Sequence, residues 1–308
     1  MALNETPEPR QPHNPGPSWG FGFLRGADAV LPRPVFDLLL GAGTWAAVAL
    51  MPAERRHSRG YLSVILGRPA SLADVWRHFF SFARTLMVIL RVGAGRPHRC
   101  RDGSNCTEFR TLMASDRPAL LGTFHIGHSD LLGFMLGDFG RRVAMIRQRV
   151  GNSGDTLGLA RFAGAWVTMI WVNDADNLLF ALKDAVASGV SVAMKCDRLG
   201  FSSKLEPFDF LGGRRLFPFT IYHLSLIFRL PVVFCVGTPG SRDESLVHGS
   251  PVFEPDDGSR ESNFRRARVH FQEFLLVIES LLRKDPFAWF NFIPLNPIAP
   301  ESPSAASG

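Results

Sequence analysis

The chain has 308 residues, a formal net charge of +6 and 46% apolar residues, enough to bury a large core and too apolar for a chain disordered over most of its length. Its four cysteines are too few for a disulfide framework at this length, which fits a reducing compartment. Only four of the 34 basic residues are lysines, so the positive charge is carried by arginine, whose planar fork suits phosphates and anionic headgroups; with two tyrosines and no nucleic-acid-binding motif, a nucleic-acid partner is not expected.

Residues 1–33 are rich in Pro, Gly and Asn, lack the apolar stretch of a signal peptide, and read as a disordered tail. The segment 35–51 is strongly apolar apart from Asp37, and its 17 residues stand at the lower limit for spanning a bilayer. Arginines flank both of its ends, so the charge rule assigns no orientation. A helix lying in or dipping into a membrane interface is the expectation, with a buried core helix as the alternative. Residues 71–92 spell a second helix, capped by Ser71 and ended by Gly93, with Val75, Phe79, Phe82, Leu86, Ile89 and Leu90 on one face for core packing.

From residue 119 strand and helix signals alternate. Strands are expected at 119–124, 143–147, 167–172, 190–195, 231–236 and 246–253, with helices at 129–139, 156–162, 175–187 and 219–228 between most of them. Such alternation predicts an α/β fold, a mixed and largely parallel central sheet covered by helices. An amphipathic helix over 259–284 presents Phe264, Ala267, Phe271, Phe274, Leu275, Ile278, Leu281 and Leu282 at helical spacing and should pack on that sheet. The domain plan is one unit over 34–297 between the first tail and a flexible tail at 298–308.

The chemistry concentrates at Gly122-Thr-Phe-His125-Ile-Gly-His128-Ser-Asp130. Histidine is the side chain suited to take a proton near neutral pH, and a carboxylate bonded to its ring selects the tautomer and stabilises the imidazolium. On a continuous helix, five residues turn about 500° and would point His125 and Asp130 apart. They meet only where a strand gives way to a loop and then a helix, with Ser129 as N-cap and Asp130 in the first turn. A surface or capping role is the plain alternative. Zinc on His125 and His128 is another, but His223, His248 and His270 are too scattered to complete a site. Arg147 and Arg149 follow a strand and could hold a phosphate or carboxylate, or could equally be a solvated loop. Asp197 ends another strand, where catalytic groups collect, though a turn explains it too. Gly212-Gly213 reads as a tight turn.

Together these segments resemble the lysophospholipid acyltransferase superfamily over roughly residues 35–292, in particular its branch of bacterial lipid A late acyltransferases. His125 and Asp130 match the superfamily's His-x4-Asp element. Arg147 after its strand, Asp197 in Met-Lys-Cys-Asp-Arg, the Phe208-Asp-Phe-Leu-Gly-Gly run, the strand opened by Pro231 and the terminal Pro286-Phe-Ala-Trp-Phe are similar to segments of that branch. The branch usually has glutamate where Asp130 stands, its Asp-Gln-Asp reads Lys195-Cys196-Asp197, and the Glu-Gly-Thr-Arg block of glycerolipid acyltransferases is not recognisable. The resemblance implies O-acyl transfer from an acyl-carrier protein or acyl-CoA thioester to a hydroxyl of a lipid or glycolipid. His125 would be the general base and Asp130 its orienter, with Arg147, Arg149, Asp197 and His128 contacting substrate. It implies no metal or cofactor, and a bacterial inner-membrane location with the catalytic domain on the cytoplasmic side. A lipid-binding or assembly scaffold without turnover, and a lipid esterase, are the alternatives.

Overall fold

The computed structural model describes residues 18–133, 139–148, 167–172, 175–241 and 243–299. Four helices come first: α1 (Ser18–Val30), α2 (Arg33–Leu50), α3 (Pro52–Leu66) and α4 (Leu72–Gly93). The α/β part runs β1 (Arg99–Asp102), α5 (Thr107–Ala114), β2 (Leu120–Thr123), β3 (Val143–Arg147), β4 (Val167–Trp171), α6 (Ala175–Ala187) and β5 (Ser191–Lys195). It continues through β6 (Leu205–Phe210), β7 (Gly213–Pro218), α7 (Thr220–Phe228), β8 (Val232–Pro239), β9 (Glu244–Gly249) and α8 (Arg260–Lys284).

Among the described residues, seven strands form one sheet in the order β1-β9-β8-β2-β5-β3-β4, parallel except where β9 runs against β8. The mixed, largely parallel sheet expected from the alternation is present. Its central strands are apolar runs because both faces are covered: Leu120 and Leu121 on β2 and Val232 to Val236 on β8 are buried. On one face Phe124 and Phe234 meet Phe271 and Phe274 of α8, with the Phe234 and Phe274 rings 4.9 Å apart. Gly122 makes that possible, since a Cβ there would come 2.2 Å from the Phe234 ring.

Ser71 caps α4 as expected, in a capping box with Asp74. Val75, Phe79, Ile89 and Leu90 of its predicted apolar face are buried, with Phe82 and Leu86 partly so. On α2, Phe36, Leu40, Thr44 and Val48 are buried, while Leu38 and Leu50 are open to solvent. By length and composition α2 is the one helix among the described residues that could cross a membrane.

Several expectations are corrected. Helix α1 occupies 18–30, within the stretch expected to be a disordered tail, and positions 1–17 lie outside the described residues. The helix expected from Ser129 begins as a 3₁₀ turn at Ser129–Leu131. Ser129 does not cap it: its hydroxyl donates to the Ile126 carbonyl and accepts from Gly237 N–H, pinning the loop to β8. The last expected strand is β9, which starts two residues earlier than the pattern suggests. Strand β1 and the β6–β7 hairpin have no counterpart among the expected elements. Arg99-Cys-Arg-Asp is a polar edge strand without apolar alternation, and the hairpin turns through Leu211 and Gly212, both at positive φ, as a tight hairpin requires. Ile298 and Ala299, expected in the second tail, pair with Arg215 and Arg214. The expected helix at 156–162 lies outside the described residues.

Candidate active site

Strands β2 and β5 lie side by side and parallel, with Thr123 opposite Lys195. Continuing that register by two residues brings His125 opposite Asp197, both just past the carboxyl ends of their strands, where ligand sites of open α/β sheets form. The side chains meet: His125 Nδ1 lies 2.7 Å from Asp197 Oδ1. The other carboxylate oxygen accepts two further bonds, from the His125 backbone N–H at 2.9 Å and from the Trp289 indole N–H at 2.9 Å. Asp197 is fully buried, while the His125 side chain keeps 19% exposure.

Burial opposes the Asp197 charge, but His125 and the donated bonds outweigh it and hold the carboxyl below the usual carboxylate range. Burial also pushes the His125 imidazole down, to about 4, against the pull of Asp197. The resting pair is therefore a carboxylate and a neutral ring whose Nδ1 carries the proton. Nε2 has no hydrogen-bond partner among the described residues, which leaves a lone pair available to accept a proton.

Asp130 does not orient the ring. It stands on the 3₁₀ turn, where its carboxylate meets Lys195 Nζ at 2.7 Å. The crowding of protein around Asp130 opposes its charge, yet Lys195 and then Arg147 more than offset this and lower its pKa. The His-x4-Asp pair is thus split between the two carboxylates of one electrostatic cluster, with Asp197 taking the ring. Arg147, at the end of β3, joins that cluster through its charge on Asp130. Arg149 lies outside the described residues. His128 is turned away: it is buried, its Nδ1 2.8 Å from Ser245 Oγ on β9, and it does not contact His125. Among the described residues no group of His, Cys, Asp or Glu is arranged to hold a metal.

The loop is held by its own backbone. Gly127 N–H donates to the Ala288 carbonyl and His128 N–H to the Gly237 carbonyl, while Phe290 N–H donates to the His125 carbonyl. Those loop amides are occupied and offer no oxyanion site. Arg198 is the better donor. Its Nε bonds Asn291 Oδ1 at 2.9 Å, its charge acts on His125, and its remaining guanidinium donors have no partner among the described residues.

The segment 285–292 enters the resemblance through Pro286-Phe-Ala-Trp-Phe, but its place at the site is what sequence reasoning missed. Past the end of α8 it crosses the His125 loop, pairing Trp289 with Ile126. The Trp289 carbonyl accepts from His78 Nε2 at 2.8 Å, and His78 Nδ1 in turn accepts from Ser58 Oγ at 2.8 Å. A buried polar chain thus runs from α3 and α4 through Trp289 to Asp197 and His125. One available signal was a tryptophan in a short apolar run directly after a core helix, where its indole N–H would need a buried acceptor.

No family model and no curated protein matches the chain. Among solved structures it is similar to the 1-acyl-sn-glycerophosphate acyltransferase PlsC of Thermotoga maritima, at 13% identity over 79% of this chain and 97% of that one, with a TM-score of 0.37. A likeness that loose says nothing of substrate or mechanism.

Proposed function

We propose that the chain is a membrane-associated O-acyltransferase that moves a fatty acyl group from a thioester of acyl-carrier protein or CoA to a hydroxyl of a lipid or glycolipid. The observation that carries the reading is the neutral His125 ring, its Nδ1–H held on the buried Asp197 carboxylate and its Nε2 unpartnered among the described residues. In this reading Nε2 takes the proton of the acceptor hydroxyl as its oxygen attacks the thioester carbonyl. Asp197 stabilises the imidazolium that forms, and Arg198 faces the charge on the tetrahedral oxygen. Collapse breaks the carbon–sulfur bond, and the imidazolium returns its proton to the departing thiolate. General-base help of this kind contributes about 10²–10⁴ in rate. Arg147 and the Asp130–Lys195 pair flank the same strand ends and are assigned to substrate; Arg149 is assigned with them from its sequence position alone. The exposed apolar side chains of α1 and α2, Trp19, Phe23, Leu38 and Leu50 among them, support a membrane-facing side. The setting proposed with it, on the resemblance alone, is the cytoplasmic face of a bacterial inner membrane.

The test incubates the full chain with labelled acyl donor and a lipid extract, beside His125→Ala. Acylated lipid that disappears in the variant is the expected result. Equal product from both refutes the mechanism, free fatty acid alone makes the protein an esterase, and lipid binding without turnover makes it a scaffold.

A further inference from the structure

Three successive residues of the strap each hold a different part of the site. The Trp289 indole donates to Asp197, the Phe290 backbone N–H donates to the His125 carbonyl, and the Asn291 side chain accepts from Arg198 Nε at 2.9 Å. Asn291 is buried. An Nε–H can only donate, so the amide must turn its oxygen to it. Its NH₂ end is then left buried with no partner among the described residues. Buried amide nitrogens are nearly always bonded, so this placement is unfavourable except for the contact with Arg198. Arg198 has stronger acceptors at hand. The charges of Asp197 and Asp130 both act on it, yet it forms no ion pair among the described residues. Both carboxylates are engaged elsewhere, Asp197 by His125 and Trp289, Asp130 by Lys195. A guanidinium released from Asn291 would gain a charge-assisted bond by swinging onto either one. On Asp197 it would compete for the oxygens that hold His125.

We infer that Asn291 is a positioning residue, whose neutral oxygen keeps the Arg198 guanidinium off both carboxylates with its remaining donors turned to the oxygen that gains charge as the thioester is attacked. A neutral acceptor suits the task because it fixes the Nε–H without cancelling the cation. A carboxylate in its place would draw on the charge that the tetrahedral oxygen needs. The strap makes the placement rigid, since the base, its carboxylate and the arginine are all tied to neighbouring residues of one short segment. This assignment rests on the acyltransferase reading and deepens it by naming what sets the arginine's place.

Two measurements on the full chain test it. The first needs no substrate: the ¹⁵N-detected Nε–H signal of Arg198, identified by its loss in Arg198→Ala. Its hydrogen exchange should be slow in the parent and at least about tenfold faster in Asn291→Ala, since a charge-assisted bond is lost. Asn291→Asp keeps the acceptor, so it should fold and hold the signal as the parent does. The second is acyl transfer from a labelled thioester. Asn291→Ala should lower kcat about 10–10²-fold at constant KM, and Asn291→Asp should lower it as well, with the arginine in place but its charge drawn off. In an Arg198→Ala background, Asn291→Ala should cost nothing further. Parent-like exchange or parent-like kcat in Asn291→Ala overturns the assignment. So does a loss that persists in full without Arg198, or full activity in Asn291→Asp. A parent that transfers no acyl group refutes only the acyltransferase reading, and the exchange measurement still decides whether Asn291 anchors Arg198.

Discussion

Replacing Asp197 by asparagine separates the two carboxylates of the site. Asp197 Oδ2 accepts two N–H donors, from the His125 backbone and Trp289, so an asparagine must keep its carbonyl oxygen there. Its NH₂ then faces His125 Nδ1, where Oδ1 stood at 2.7 Å. Two donors cannot face each other, so Nδ1 gives up its proton and Nε2 takes it. The nitrogen meant to accept the acceptor's proton is then already occupied. The expected loss in kcat/KM is about 10²–10⁴, or about 2.7–5.4 kcal/mol of barrier. The fold should survive, because each backbone and indole bond to this side chain is kept. Two assays read it: acyl transfer from a labelled thioester, and the ¹⁵N shifts of the His125 ring, which report the tautomer without any substrate. Asp130→Asn should leave the ring's tautomer untouched. A parent protein with its proton on Nε2, or an Asp197→Asn variant within threefold of parent activity, refutes the reasoning.

Trp289→Phe removes one of the bonds to a buried carboxylate, worth about 1.5–3 kcal/mol; thermal melting should show that loss and kcat should fall about tenfold at constant KM, whereas full activity would show that Trp289 only packs. Gly127 has φ +44° and a Cβ there would come 2.7 Å from the Gly237 carbonyl, so Gly127→Ala should cost more than about 2 kcal/mol in urea unfolding, and parent-like stability would refute the close packing of this loop on β8. His78 is fully buried, and burial lowers its pKa to about 4 against an unfolded value near 6.5. The unfolded chain therefore binds the extra proton first: the stability this neutral ring permits is complete above about pH 6.5 and is lost as pH falls through 4, with a slope of up to about 1.4 kcal/mol per pH unit. His78→Gln should flatten the pH dependence of urea unfolding in that window; an unchanged slope would remove His78 from the buried chain.

Legibility from sequence differs by element. The apolar run at 119–124 and the glycines around it announce a buried strand leading into a loop, because short-range hydrophobic pattern and turn chemistry act within a few residues. Ser71 with Asp74 and the Phe271–Phe274–Ile278 stripe are readable for the same reason. The polar edge strand β1 is not, since its pairing comes from Glu244 to Val247 and leaves no alternation in Arg99-Cys-Arg-Asp.

The amino-acid sequence by itself determined the α/β class, a histidine just past a strand end and the concentration of charge at residues 195–198. It could not assign the partner of that histidine. His125 has one aspartate five residues away and another 72 away, and local spacing favours the near one. Tertiary structure decided for the far one: β2 and β5 are parallel neighbours in register, and a strap from the end of the chain supplies the indole that anchors the carboxylate. Sheet register is set by burial of whole strands across long sequence separations, so no window around the motif contains it.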